Sequence, residues 1–277
     1  MKLALLNIAV GKFFFRYRNV LFPLVCVLAA LILRPRIMLG SLLLDRFLLA
    51  CGVAVALTGQ TVRLLTIGFD YIHRGGKDGQ VYASRLVRAG MYGLTRNPMY
   101  LANGLIATGT IMLIGSPIAY LLLIPFFLFV YQAIVAAEEA YLRGKFGKEY
   151  DDYSAAVNRF LPSLHDVRRP FSGMTFDWRR SLRKDLSTVV GLMMGLILLP
   201  AWRNYFLYGW DSAKTTAITA IALSCAGGMI YALLLQLKKR KRILRDSTAH
   251  SGHENPKPKE LTGKKIHRSE TSTHWSG

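Results

Sequence analysis

The sequence predicts an all-α protein, a polytopic bundle whose helices cross a membrane about six times. Hydrophobic residues make up 52% of the 277 residues, above the roughly 45–50% that is usual in soluble domains. They are collected into long apolar runs, and Lys and Arg are concentrated between alternate runs. Runs of this kind are typical of transmembrane helices, because a helix needs about 20 apolar residues to cross the hydrocarbon core.

Six runs are candidates for the spans. The first run is short and is expected to tilt or to use flanking residues. The three-residue loop 115–117 separates the third run from the fourth, so these two should pack as an antiparallel hairpin. In chain order the runs are 20–33, 47–66, 98–114, 118–137, 186–202 and 213–237.

The distribution of Lys and Arg predicts that both termini lie in the cytoplasm. Basic residues are concentrated in the N-terminal arm, in 68–97, in 140–185 and after residue 237. The net charge of +20 follows from this bias and predicts contact with an anionic membrane surface. Nucleic-acid binding would explain the charge but not the apolar runs, so we expect an integral protein of the cell membrane or the endoplasmic reticulum.

Four parts follow along the chain. Residues 1–67 are a basic arm with the first helical hairpin, and 68–162 are a core hairpin with cytoplasmic helices. Residues 163–237 are a linker with a second hairpin, and 238–277 are a basic tail that is predicted to be disordered because it has few apolar residues. The three cysteines fall in apolar runs and predict no disulfide or metal site.

The start of the third span is a candidate anion site at the cytoplasmic surface. Asn97 suits the N-cap and Pro98 the first helical position, which leaves free backbone N–H groups beside Arg96. Tyr100 lies four residues after Arg96 and shares its face. The alternative is a capped span with an interfacial Tyr and a snorkelling Arg.

Two adjacent carboxylates, Glu138 and Glu139, end the fourth span. Acidic residues are unfavourable at a helix C-terminus, so we expect a cation to face at least one of them, either Arg143 or a cationic ligand. Arg63 lies near the cytoplasmic end of the second span, where polar residues are functional candidates by default. Tyr150, Tyr153 and Arg159 follow on a segment that alone is typical of an interfacial helix.

Residues 59–162 resemble the isoprenylcysteine carboxyl methyltransferase and phospholipid methyltransferase family of integral membrane enzymes. Each block is weak alone, but their order and spacing together resemble the family pattern. The blocks are LVRAGMY at 86–92, RNPMY at 96–100, Glu138-Glu139, FGKEY at 146–150, and then Tyr153, Arg159 and Pro162. Asn97 departs from the pattern, which most often has His at that position.

The resemblance implies methyl transfer from S-adenosylmethionine on a cytoplasmic catalytic face. A Glu of the 138/139 pair would bind the cofactor ammonium. The other implied cofactor-binding residues are Leu86, Val87, Gly90, Tyr92, Arg96, Asn97 and Tyr100. Arg159, Arg63 and Tyr150 are the candidate catalytic residues near the acceptor.

The acceptor is expected to be a membrane lipid or a lipidated substrate, and either a carboxylate or an amine would fit. A carboxylate is already ionised, whereas an amine must first lose a proton to a nearby base. Two other readings are an NADPH-dependent sterol or enone reductase and a non-enzymatic membrane scaffold. The sequence does not indicate an oligomeric state.

The predicted topology places the loop at Ser116 outside the cytoplasm. We expect Ser116→Cys, in a chain whose three native cysteines are replaced by Ala, to react with a membrane-impermeant maleimide added to intact cells. A cysteine at Lys145 is the matched control and should react only after the membrane is opened. The reverse pattern would contradict the topology.

Overall fold

A computed structural model describes residues 2–69, 85–163 and 165–251, with side chains described from residue 8 to residue 237 except at residue 19. The described residues form helices and no strands, which confirms the all-α prediction. The helices are α1 (Lys2–Ile32), α2 (Leu42–Phe69), α3 (Met91–Leu94), α4 (Pro98–Ile114), α5 (Pro117–Phe146), α6 (Lys148–Ala156) and α7 (Trp178–Ser251), with short 3-10 turns at Met38–Gly40 and Arg169–Phe171.

In the part of the chain that the structure describes, three helices are long and apolar enough to cross a membrane: α2, α5 and Trp178–Leu237 of α7. A fourth is added if the bent helix α1 counts as one span, and α4 is apolar but shorter. Large apolar side chains cover the outer surface, as at Leu121, which is 74% exposed. This outer surface suits lipid contact, while the count of six spans stays a prediction.

Helix α7 reverses direction at Gly209, where the sequence predicts the turn of the second hairpin. Gly209 has φ 77° and ψ 175°, outside the helical region. Leu198 and Ile221 would lie about 35 Å apart in a straight helix, yet both line one apolar cavity. The chain therefore folds back at this glycine, and α7 has a first arm (178–208) and a second arm (210–251).

The C-terminal end of α7 differs from the prediction for the tail. The helix continues to Ser251, into the segment predicted to be disordered, and residues 252–277 lie outside the described part of the chain. Extending an existing helix needs no new nucleus, which explains how a basic segment can remain helical. Residues 1–229 form one compact unit, and a second unit begins at Ile230.

Helix α1 bends by 81° between Ile8–Arg18 and Val20–Ile32. Pro23 lies inside the helix and has no N–H to bond the carbonyl four residues earlier, at position 19, which its ring also crowds. The bend therefore has a local cause in the sequence. It places Arg18 at the corner between the two arms of α1.

Small residues bring α2 and α4 into close contact. A Cβ at Gly59 would lie 2.7 Å from the Ala102 carbonyl oxygen, and one at Gly109 would overlap the Gly52 carbonyl. Membrane helices associate through such small residues because their backbones can then approach closely. This contact fixes the position of α4, which carries Tyr100, relative to α2, which carries Arg63.

Two buried ion pairs join α2 to the first arm of α7. Arg63 Nη2 lies 2.5 Å from Asp185 Oδ1, and Arg203 Nη2 lies 2.6 Å from Asp45 Oδ2. In both helices the Asp precedes the Arg by 18 residues, which is five helical turns and about 27 Å. Because the helices run antiparallel, each Asp meets the Arg of its neighbour and the register of the pair is fixed.

We expect Gly109→Ala to lower the free energy of unfolding by about 1–3 kcal/mol, because its methyl group would overlap backbone atoms of α2. Thermal unfolding of the purified protein in detergent measures this. Gly104→Ala is the control in the same helix, since its Cβ would lie 3.9 Å from the Tyr131 ring. Equal melting temperatures for the two variants would contradict the close contact.

Candidate functional site

One side of the site is formed by residues 94–97, from the end of α3 to the start of α4, which pair through backbone hydrogen bonds with residues 158–163 after α6. The Arg96 N–H donates to the Asn158 carbonyl at 2.8 Å, and the Ser163 N–H donates to the Leu94 carbonyl at 2.9 Å. The Thr95 hydroxyl adds bonds of 3.1 Å to the carbonyls of the next residues on the partner segment. These bonds hold the start of α4 beside the chain that follows α6.

Glu139 is the centre of the site. Its side chain is 6% exposed and forms ion pairs with Arg159 and, at 3.2 Å, with Arg96. The Asn97 amide also donates to Glu139 Oε1 at 3.4 Å. Arg96, Asn97, Glu139 and Arg159, which the sequence singled out separately, therefore form one charged cluster, and the expectation of a cation facing the acidic pair is confirmed.

The predicted capping role of Asn97 is wrong, although its position is right. Asn97 is the N-cap residue of α4 and Pro98 follows as the first helical residue, but the Asn97 side chain makes no capping bond. Its amide instead donates to Glu139 and, at 3.1 Å, to the Arg159 carbonyl. An amide suits this place because one NH2 group supplies both donors.

Glu138 faces a different set of partners from Glu139, because adjacent helical residues point about 100° apart. Its carboxylate lies beside the Tyr100 hydroxyl and in the electrostatic field of Arg18. Arg18 Nη1 donates to the Tyr100 hydroxyl at 3.2 Å. Glu138 Oε2 is buried and has no hydrogen-bond partner among the described residues.

Arg143, the expected helical partner of Glu139, pairs elsewhere. It lies 2.8 Å from Asp151 on α6, and both side chains are exposed. The Arg159 and Arg96 guanidinium groups take its place at Glu139. Sequence spacing along one helix favoured Arg143, whereas the tertiary fold brought in two more distant cations.

Tyr150 and Tyr153 lie on α6 beside the charged cluster. Their ring centroids are 6.1 Å apart, and the Tyr153 hydroxyl donates to the Tyr92 carbonyl at 2.7 Å. Burial is the main cause that raises the pKa of Tyr150 to about 12, and burial also raises the pKa of Tyr153. Both phenols are therefore protonated at neutral pH, so Tyr150 can donate a hydrogen bond but is unsuited as a base.

Arg63 lies in a separate buried network. Its guanidinium binds Asp185 on α7 and also donates to Asn103 on α4 and, at 3.1 Å, to the Thr188 hydroxyl. Gln60 donates to the same Asp185 at 2.7 Å. The structure therefore gives Arg63 a bracing position between three helices and does not place it in the Glu139 cluster.

Four candidate cofactor-binding residues come from the 86–92 block: Leu86, Val87, Gly90 and Tyr92. The Gly90 N–H donates to the Pro170 carbonyl at 2.7 Å, and Gly90 has φ 62°, which favours glycine. Val87 is buried, and Leu86 and Tyr92 are half-buried. The Tyr92 carbonyl of this block accepts the hydrogen bond from Tyr153, which lies beside the Glu139 cluster.

Three residues of the site or its support were missed by the sequence analysis. Arg18, Asp185 and Pro170 lie outside the resembling segment, and each contacts a residue within it. Arg18 is a basic residue next to an apolar run, and such residues were expected to contact lipid headgroups. Asp185 carried a signal, since it is an isolated acid at the start of an apolar run.

Comparisons with known proteins bear on part of this chain. The family model described as phospholipid methyltransferase matches residues 47–149, which contain Asn97 and Glu139 but neither Arg18 nor Arg159. An uncharacterized protein of Haemophilus influenzae is 41% identical over 63 residues, which are 23% of this chain and the whole of that protein. No solved structure matches.

We expect Asn97→Asp to destabilise the fold, because it replaces a donor with a carboxylate beside Glu139 Oε1 and leaves the Arg159 carbonyl without that bond. The loss should be about 1–3 kcal/mol, measured by thermal unfolding at neutral pH. Asn158→Asp adds the same charge at an exposed neighbouring position and should leave the melting temperature unchanged. Equal effects would contradict the role of the Asn97 amide.

Proposed function

We propose that this chain uses S-adenosylmethionine to methylate a lipid held in the membrane. Its residues 47–149 match the phospholipid methyltransferase family. The family match supports methyltransferase activity on a lipid substrate. The observation that carries the cofactor assignment is the buried Glu139 carboxylate between two arginines. The family match also favours this reaction over the reductase and scaffold alternatives.

The Glu139 cluster fits a ligand that carries both an ammonium and a carboxylate. Arg96 Nε is buried without a partner among the described residues, and the Arg159 side chain is 43% exposed and can move. Glu139 would pair with the ammonium, and Arg96 and Arg159 would pair with the carboxylate, since guanidinium groups bind carboxylates in a two-pronged geometry. When bound, S-adenosylmethionine supplies a methyl group on a positively charged sulfur.

This assignment moves Arg159 from the acceptor to the cofactor. Its ion pair with Glu139 places the two residues at one binding position. The Arg159 guanidinium neutralises a carboxylate that would otherwise be buried with less compensation. Glu139 and Arg159 would each pair with the opposite charge in the zwitterionic part of the cofactor.

The acceptor that suits Glu138 is an amine. A carboxylate acceptor next to Glu138 would be repelled by a like charge, whereas an ammonium would pair with the oxygen that has no partner. Transfer of one proton from that ammonium to the Glu138 carboxylate leaves a neutral amine with a free lone pair. We therefore assign Glu138 the role of acceptor-binding group and proton acceptor, with the Tyr100 hydroxyl beside its carboxylate.

Arg63 and Tyr150 are proposed as positioning residues. Arg63 holds Asn103 of α4 and Asp185 of α7 in fixed places, so it orients the helix that carries Tyr100. Tyr150 is buried, with 1% exposure, and its high pKa keeps it neutral. We propose that the Tyr150 ring excludes water from the site. Methyl transfer requires the donor and the acceptor to be closely aligned without competing solvent.

We also propose six spans with the Glu139 end in the cytoplasm. The break at Gly209 supports two spans in α7, and the bent α1 and the short α4 supply two more. The basic segments at 85–97 and 140–185 support the orientation. This orientation gives the site access to a water-soluble cofactor.

We expect Glu139→Gln to weaken S-adenosylmethionine binding about ten- to a hundredfold, because it removes a charged partner of the ammonium. Equilibrium binding of the labelled cofactor to the purified protein in detergent measures this. Glu149→Gln is the matched control, since Glu149 is exposed and pairs with Arg88.

The same preparation tests the reaction. Transfer of label from S-adenosylmethionine to a lipid amine is expected, without competition from NADPH. Wild-type protein that binds NADPH and not S-adenosylmethionine would overturn the proposal.

A further inference from the structure

We propose that Arg18, on the N-terminal helix, is a substrate-binding residue, and that Arg18, Tyr100 and Glu138 form a subsite for a headgroup carrying an anion and a cation. Arg18 would bind the phosphate of the headgroup and Glu138 its amine. The inference rests on the proposed lipid-amine acceptor, but it assigns a role to a helix that the family match does not cover.

The Arg18 guanidinium is held by aromatic rings that leave room for an anion. Its central carbon lies 4.3 Å from the centroid of the Phe15 ring and 6.0 Å from that of Tyr100. Among the described residues, the Tyr100 hydroxyl is the hydrogen-bond acceptor that the structure gives it. A guanidinium has five N–H donors, so this environment leaves capacity for a two-pronged contact with a phosphate.

Glu138, which is half-buried, is less completely compensated than the buried acids. Asp45, Asp185 and Glu139 each form a direct ion pair with an arginine. Glu138 Oε2 is the one carboxylate oxygen among the described residues that is buried without a hydrogen-bond partner. A buried charge is costly unless it is paired, and the amine of a bound headgroup would supply the missing partner.

Tyr100 sets the separation of the two charges. Its hydroxyl accepts from Arg18 and lies beside the Glu138 carboxylate. One hydroxyl group therefore separates the guanidinium from the carboxylate. A headgroup in which a short linker joins a phosphate to an amine can span this distance and reach both charges.

Contacts between α1 and α5 hold Arg18 in this place. A Cβ at Gly11 would overlap the Ala133 carbonyl, and the Phe22 ring lies 5.1 Å from Phe127 and 5.3 Å from Tyr131. These contacts anchor α1 on both sides of the bend at residue 19. Arg18 therefore faces α4 and α5 from a fixed corner, unlike a side chain that snorkels freely to the headgroups.

The test measures lipid binding to the purified full-length protein by titration calorimetry in detergent. The probes are dioctanoyl phosphatidylethanolamine and dioctanoylglycerol, which has the same chains without the charges. Arg18→Gln should weaken phosphatidylethanolamine binding about ten- to a hundredfold and leave dioctanoylglycerol binding unchanged. Arg16→Gln removes the same charge from an exposed position two residues earlier and should leave both affinities unchanged.

Two soluble competitors identify the source of the phosphate. Glycerophosphoethanolamine carries both charges and should displace the lipid in the wild type but not in Arg18→Gln. Inorganic phosphate lacks the amine and should displace the lipid far less well. Equal potency of the two competitors would remove Glu138 from the subsite and overturn the inference.

Other outcomes also decide the question. Unchanged phosphatidylethanolamine affinity in Arg18→Gln would overturn the inference, as would an equal loss for both lipids. A loss of S-adenosylmethionine affinity alone would assign Arg18 to the cofactor. If Arg18→Gln does not give a cooperative unfolding transition, Arg18→Lys is measured instead, because Lys keeps the positive charge but not the two-pronged guanidinium. The Lys variant should bind phosphatidylethanolamine about fivefold more weakly. Full affinity of this variant would overturn the role of Arg18 in phosphate binding.

Failure of the proposed function is distinguishable from failure of this inference. Lipid binding that depends on Arg18 in a protein that binds no S-adenosylmethionine would retain the subsite and reject the methyl transfer. Methyl transfer that is insensitive to Arg18→Gln would retain the function and reject the subsite.

Discussion

Pairing of buried charges is the constraint on which the rest of this structure depends. Carboxylates and guanidinium groups inside a membrane protein are costly unless they meet a partner, and the described buried acids lie at the contacts that fix the fold. Asp45 and Asp185 set the register of α7 against α2. Glu139 ties α5 to the start of α4 and to the chain after α6. The candidate site is thus part of the same set of interactions that holds the helices in place.

Differences in how well these charges are compensated separate supporting residues from binding residues. Asp185 receives bonds from Arg63 and Gln60, and its surroundings leave little reason for a ligand. Glu139 is paired by Arg159, whose side chain is 43% exposed, and we propose that a ligand displaces it. Glu138 keeps one oxygen without a partner. We therefore propose that two adjacent acids on one helix bind two different ligands, because they point to different faces.

Much of the site could be predicted from the sequence, because its residues lie near the ends of spans that must meet at one membrane face. Arg96, Asn97, Glu139 and Arg159 do form one cluster. The hydrogen bonds of Asn97 were not predictable from its position, since an N-cap residue usually bonds its own helix. Arg18 and Asp185 were missed because their partners are 82 and 122 residues away in the sequence. Spacing along one helix does not predict contacts between residues so far apart.

The sequence by itself determined the helical class and the apolar runs, since these depend on composition and on local signals such as Pro98 and the loop 115–117. Only the tertiary structure decided which cation meets which acid. Arg143 lies one helical turn from Glu139 and yet pairs with Asp151, while Arg96 and Arg159 arrive from other segments. The physical reason is that an ion pair requires two atoms to meet in space, and that meeting depends on how whole helices pack together.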